Sequence, residues 1–473
     1  MTRTRTLLVF ACAALAASGI ARPAAAQAER YELGRRLRAF ETAWEGSARP
    51  AQVKALAGLP KVTTQFFGFQ FGEAGRTLDD ARRTLAGTEA TQSTAWAEAL
   101  FMTPETRLID AGKPGLEVVV KPFYAVKGPV PEGATCRVTL GTGEPLAVPI
   151  TKFPAKIAVP LPKVADAGQD LPLALEVLID GRPVSRHEVT VSVVPDATKR
   201  LAALPKSAPT TIEAATLRDR VEHLTQLAEG TVSETDLPAA KLLAEAEALA
   251  KLPAGTAYFT AARAGQFWLS VPLEQPTGKF GTAPVRLFVP EKLDAARPVP
   301  LVIALHGAGG SENLFFEGYG AGHVVEECEK RGWLLVAPRA GLFGAPAVAE
   351  IVAALADRYP IDARSVFVVG HSMGAGQAAE LVQQSPSKYR ADALLGGAAR
   401  VRDAKAFADL PLFLGVGTKD QLALTGMRAL NKTLAAAGAK RLTYREYPEA
   451  EHLVVVREAL PDAFAQWDAL LAK

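Results

Sequence analysis

Apolar positions along this chain change their period three times. From Glu29 to about Phe101 they recur at helix spacing, as in Leu33, Leu37, Phe40 and Trp44, with polar residues between them. Between about Thr106 and Pro195 the period shortens to β-type runs at Leu116–Val120, Cys136–Leu140, Leu173–Leu178 and Val189–Val194. Turn signals such as Gly141-Thr142-Gly143 and Asp180-Gly181 separate them. From Asp196 to about Pro253 helix spacing returns, over Ala214–Leu227 and Leu237–Leu252, in good helix formers. After Gly265 longer apolar strands alternate with helical stretches, the signature of a mostly parallel sheet covered by helices. The eight strands expected there are Gln266–Val271, Val285–Val289, Val299–Leu305, Trp333–Ala337, Val366–Val369, Ala393–Leu395, Leu412–Val416 and Leu442–Tyr447.

These changes divide the chain into a helical region over 27–104, a small antiparallel β-sandwich of immunoglobulin-like character over 105–196, a helical connector over 197–260 and an α/β domain over 261–473. The helical region carries no recognisable chemistry, and its aromatic cluster, Phe66-Phe67-Gly68-Phe69 and Phe71, is expected to bury against a neighbour. The sandwich is read as a spacer, with carbohydrate binding the alternative.

The first residues are of another kind. Arg3 and Arg5 precede an apolar run from Leu7 to Ile20, then Ala24-Ala25-Ala26. That is the pattern of a secretory signal peptide over 1–26 with cleavage after Ala26, which implies a secreted or periplasmic protein. A run of 14 residues is short of the roughly 20 a spanning helix needs, so no integral membrane segment is expected after cleavage. Cleavage would remove three arginines and no acidic residue, taking the formal charge from +3 to 0. A neutral chain argues against nucleic acid as the main partner. It would also leave only Cys136 and Cys328, in different domains, so no disulfide framework is expected. No zinc-ligand spacing occurs.

Chemistry concentrates in Ser365–Gly376, an apolar strand running through Gly370-His371-Ser372-Met373-Gly374 into a helix. The two glycines leave room for a tight strand-to-helix turn that lifts the Ser372 hydroxyl clear of the sheet. It also lies at a helix N-terminus, which favours negative charge. A serine hydroxyl needs a base. Of six histidines, His187, His223, His306, His323, His371 and His452, only His452 follows Ser372, as the nucleophile–acid–histidine order of this motif requires. The acid to orient it is assigned to Asp420, after Leu412–Val416, with Asp392 and Asp409 in reserve. Strand Val299–Leu305 ends in His306-Gly307-Ala308-Gly309-Gly310, whose amides suit an oxyanion. The expected donors are the N–H groups of Met373 and Ala308, with Gly309 as substitute. Phe315, Phe316 and Tyr319, after this loop, are candidate substrate-binding residues, with core packing the alternative.

With these motifs placed, the region from about Pro284 resembles secreted α/β-hydrolases of the dienelactone-hydrolase, feruloyl-esterase and polyhydroxybutyrate-depolymerase group. The likeness is carried by Leu287-Phe288-Val289-Pro290, Pro300–Gly310 and Arg358–Gly374, and nothing before Gly265 takes part. The resemblance implies hydrolysis of a carboxylic ester through an acyl-enzyme, without metal or organic cofactor. Only Arg339–Ala345 intervenes before the helix expected at Pro346–Arg358, and no long insertion separates Asp420 from His452. An open site without a lid is therefore expected, leaving bulky or polymeric esters as substrates. Two other readings stand beside this one: a serine peptidase of prolyl-oligopeptidase kind, and a polymer-binding surface protein with an accessory hydrolase domain.

Overall fold

The computed structural model describes residues 24–472 except 90, 207, 232–233, 275–280 and 342–345. Most of the expected signal peptide, with Cys12, lies outside the described residues, as does part of the Arg339–Ala345 link. Among the described residues no helix is long and apolar enough to cross a membrane.

Helices at Ala24–Glu45, Arg49–Ala55, Pro60–Phe67 and Phe71–Ala86 pack around Leu33, Phe40, Trp44, Leu59 and Leu78, and helix Gln92–Ala99 follows them. The apolar residues of the first helix fall three and four apart, so they share one face and bury together. Pro60 starts its helix, where a missing N–H costs nothing, and Gly87 ends another in the left-handed conformation that suits glycine.

The sandwich begins at Leu100, inside the stretch expected to be helical. Its strands are β1 (Leu100–Pro104), β2 (Leu108–Asp110), β3 (Leu116–Pro122), β4 (Thr135–Leu140), β5 (Leu146–Pro149), β6 (Ala155–Val159), β7 (Gln169–Ile179) and β8 (Arg182–Val194). One sheet has the order β1-β3-β6 and the other β2-β8-β7-β4-β5. Alternate residues of β3 and β4 (Leu116, Val118, Val120; Cys136, Val138, Leu140) point into the shared core, as the two-residue period of a strand dictates.

The connector is not a free-standing bundle. Its helices Ile212–Ala228 and Ala239–Ala250 bury Leu217, Leu224, Leu242 and Leu243 in the same core as the main sheet. Thr216 Oγ1 accepts from the Ser270 amide at 3.0 Å, and Arg220 donates to the Trp268 carbonyl at 2.9 Å.

That main sheet comprises β9 (Gly265–Pro272), β10 (Thr282–Val289), β11 (Val299–Leu305), β12 (Leu334–Pro338), β13 (Ile361–His371), β14 (Ala391–Leu395), β15 (Leu412–Gly417) and β16 (Leu442–Tyr447). The spatial order is β16-β15-β14-β13-β11-β12-β10-β9, with β10 antiparallel to both neighbours and all pairs from β12 to β16 parallel. This is the α/β-hydrolase sheet. Both faces are covered, so the parallel strands are apolar on both sides, and β14 is buried along its whole length. One face carries Val302, Phe367, Phe464 and Trp467, the other Ile303, Val368 and Leu414. Helix Val348–Ala356 is shorter at both ends than the Pro346–Arg358 expected. Cys136 and Cys328 are free and buried in separate cores.

Candidate active site

Strand β13 and helix Met373–Gln384 meet at Ser372, whose backbone is held at φ 54° and ψ −114°. Such a conformation is costly for a residue with a Cβ and persists only where the surroundings fix it. They do so here by contact. A Cβ on Gly370 would lie 2.2 Å from the Gly374 carbonyl oxygen, and one on Gly374 would lie 2.0 Å from that of Leu305. Both glycines of the turn are therefore demanded by the approach of helix to strand.

The half-buried Ser372 Oγ lies 3.1 Å from His452 Nε2, and His452 Nδ1 lies 2.9 Å from Asp420 Oδ2. Asp420, after β15, is aimed by the amides of Leu422 and Ala423, which donate to its other oxygen at 3.0 and 2.9 Å. With Nδ1–H donating to the aspartate, Nε2 is left free to accept from the serine hydroxyl. Burial disfavours the imidazolium, but the hydrogen bond and charge of Asp420 outweigh it and raise the His452 pKa above its ordinary value. The two reserve acids stand elsewhere. Asp392 is buried within β14 and held well above the usual carboxylate range by desolvation, while Asp409 is exposed and pairs with Lys440 at 3.1 Å.

Gly307, Ala308, Gly309 and Gly310 line the same cavity as Ser372 and His452. The Gly310 amide donates to the Gly307 carbonyl at 3.1 Å, closing a turn in which Gly309 takes φ +80°. The Met373 amide belongs to the first turn of its helix, where N–H groups lack partners within the helix. His306 holds the loop from behind: its Nδ1 lies 2.8 Å from the Gly307 carbonyl oxygen, and its Nε2 accepts from the Ala340 amide at 3.0 Å. Burial keeps it neutral.

Of the three candidate substrate-binding residues, Phe315 and Phe316 are corrected and Tyr319 stays at the cavity. Phe315 and Phe316 do not reach the cavity; both are buried against the sheet in the core that holds Phe288 and Val302. Phe316 also lies under Arg286, 4.7 Å from its ring centre. The short helix Leu314–Glu317 turns this apolar pair inward, where both aromatic rings are buried. Tyr319 borders the cavity but is committed to a network. Its oxygen accepts from the Gly307 amide at 3.2 Å and its hydroxyl faces His371 Nδ1 at 2.7 Å, while His371 Nε2 reaches the His452 carbonyl at 2.8 Å. One chain of hydrogen bonds thus ties the Gly307–Gly310 loop, the turn at Ser372 and the loop that carries His452. Sequence reasoning passed over His371, although its place beside Ser372 is a signal that it must be accommodated at the elbow.

The site is less open than the absence of a lid leads one to expect. The cavity, about 210 Å³, is walled on its far side by the N-terminal helices through Leu33, Leu37, Val62, Phe66 and Leu78, and by Glu234, Thr235 and Asp236 of the connector. Phe66 rests against the oxyanion loop: a Cβ on Gly309 would come within 2.8 Å of its ring. Arg30 donates to the Gly309 carbonyl and pairs with Glu234 at 3.3 Å. Nothing in the motifs of the last 190 residues announces this wall, because its residues come from outside them and its helical part lies more than two hundred positions upstream.

No family model matches this chain, and no curated protein does. Solved structures do. A ferulic acid esterase has 14% identity over 44% of this chain and 98% of its own, with a TM-score of 0.38. The fluorophosphonate-binding serine hydrolase F of Staphylococcus aureus, substrate bound, has 13% identity over 43% of this chain and 98% of its own, at 0.35. A thermostable esterase has 16% identity over 78% of this chain and 98% of its own, at 0.39.

Proposed function

We propose that this protein is a serine hydrolase that cleaves carboxylic esters through an acyl-enzyme. The observation that carries this reading is the connected set Ser372–His452–Asp420, at 3.1 and 2.9 Å, opening into one cavity with the Gly307–Gly310 loop. Ser372 Oγ attacks the ester carbonyl as His452 Nε2 takes its proton, and the imidazolium is stabilised by Asp420. The carbonyl oxygen gains charge and is held by the amides of Met373 and Ala308, with Gly309 the alternative to Ala308. His452 then returns the proton to the departing alcohol. Water, activated by the same imidazole, releases the acid and restores Ser372.

Esters are favoured over peptides because no described residue of the main sheet's edge strands, β9 and β16, lines the cavity, which leaves no strand edge there along which a polypeptide would lie. The N-terminal Arg3, Arg5 and the apolar run after them support a secreted or periplasmic location. The test is a panel of p-nitrophenyl esters and peptide anilides on wild type and Ser372→Ala. Ester turnover that Ser372→Ala abolishes is expected. Efficient anilide cleavage with negligible ester turnover, or a Ser372→Ala enzyme near wild-type rate, would overturn the reading.

A further inference from the structure

We propose that the N-terminal helical segment is the acyl-specificity element of the site: the wall made by Leu33, Leu37, Val62 and Phe66 receives a compact apolar acyl group, and Phe66 sets its length. This rests on the ester-hydrolase reading above.

Four observations carry it. The wall faces Ser372 across one cavity, so a group bonded to Ser372 Oγ has these side chains as neighbours. Phe66 and Phe67, partly exposed, pack edge to face at 5.3 Å, and Phe66 lies against Gly309, so its ring stands beside the loop assigned to the carbonyl oxygen. The cavity is smaller than the roughly 300–1,000 Å³ of sites for drug-sized ligands. Finally, the wall is anchored. Val454, two residues after His452, is buried in the N-terminal helical core. Trp44 Nε1 donates to Glu458 at 3.3 Å, Arg457 donates to the Glu41 carbonyl at 2.9 Å, and Arg49 donates to the Pro448 carbonyl at 2.6 Å.

The acyl half is assigned to the walled side of the cavity by the order of events. The alcohol must leave and water must enter while the acyl group stays bonded to Ser372. The part that stays is the part a fixed wall can measure. Of the charged residues that line the cavity, Arg30, Arg35, Asp236 and Glu317 are partly buried, whereas Arg38 and Glu234 are exposed and mark its solvent side, where the alcohol departs.

The experiment uses the full chain as wild type, Phe66→Ala, Phe66→Trp and Val62→Ala. One series varies the acyl group (p-nitrophenyl acetate, butyrate, octanoate) and one varies the alcohol of a constant butyrate (ethyl, benzyl, naphthyl). A methylene-sized change in an apolar pocket is worth about 10- to 200-fold in discrimination. Phe66→Ala is therefore expected to raise kcat/KM for octanoate relative to acetate by about tenfold or more, Val62→Ala to shift it the same way, and Phe66→Trp to lower butyrate relative to acetate. The alcohol series should keep its wild-type order. Stoichiometric labelling of each variant by a fluorophosphonate certifies that its site is folded. Labelled variants with an unchanged acyl profile, or a shift confined to the alcohol series, would overturn the inference alone. Absence of ester turnover and of Ser372 labelling in wild type would overturn the functional reading and this inference together.

Discussion

The catalytic sheet and the N-terminal helices wall one cavity, yet they are written into the sequence in opposite ways. The sheet announces itself. Ser372 takes a strained backbone at φ 54°, positions 370 and 374 must be glycine because carbonyl oxygens lie about 2 Å from where a Cβ would sit, and Asp420 and His452 follow in a set order. The helices obey only the looser demand that one face be apolar, which many side chains meet. Chemistry leaves motifs, whereas shape leaves only periodicity.

The largest expected effect separates the acid from its reserves. Asp420→Asn should lower kcat by about 10⁴-fold, since His452 would lose the partner that fixes its tautomer. Asp392→Asn, in the sheet, should leave kcat near wild type in the same steady-state assay with a p-nitrophenyl ester. Equal losses in the two would dissolve the distinction between the site and its scaffold.

A second test asks whether the helices do more than pack. Arg30→Ala removes the hydrogen bond to the Gly309 carbonyl and the pair with Glu234. A fall of about tenfold in kcat with little change in KM is expected, because misplacing an oxyanion loop weakens the transition state more than substrate binding. A rise in KM alone would make Arg30 a surface residue.

The pH profile sharpens the catalytic half. Activity requires neutral His452, whose pKa is raised above 6.5 by Asp420. kcat/KM should therefore fall as pH drops through a midpoint above that of free imidazole, and Asp420→Asn should move the midpoint down.

The smallest effect concerns the junction of the two regions. Glu41, on the first helix, is fully buried; neither oxygen is within hydrogen-bonding geometry of a side-chain donor, with Arg457 at 3.9 Å. Burial outweighs Arg457 and pushes its pKa up to about 8, aided by Glu451 and Glu458, with the Gly320 amide acting the other way. Glu451, beside His452, is pushed up to about 7, again chiefly by burial. A carboxyl raised above its unfolded value stabilises the fold fully below that value, and the contribution is lost as pH rises through the folded pKa. Thermal stability should thus decline from about pH 4.5 to 8, and Glu41→Gln should flatten that decline by a few degrees, of order 3 °C. An identical slope in the variant would place the titration elsewhere.

How far the sequence was legible follows the same division. All eight strands of the main sheet were readable, with ends displaced by a few residues at most sites, because buried parallel strands are continuous apolar runs bounded by turns. In the sandwich, β1, β2, β5 and β6 escaped notice: they are three to five residues long, and Leu146–Pro149 has no buried residue to mark a face. Ser372, His452 and Asp420 are singled out by order and context, and the structure brings them within hydrogen-bonding distance. Phe315 and Phe316 were misplaced because adjacency to the oxyanion loop says nothing about which way a short helix turns. Phe66 and Arg30 were out of reach, since a contact with Gly309 across more than two hundred residues has no local pattern.

The central claim is that Ser372 is the activated nucleophile of this cavity. Peptide mass mapping after reaction with a fluorophosphonate tests it most directly. A single adduct on Ser372, formed by wild type, slowed in His452→Ala and missing in Ser372→Ala, is the predicted result; an adduct on another residue, or labelling that survives Ser372→Ala at the wild-type rate, would contradict it.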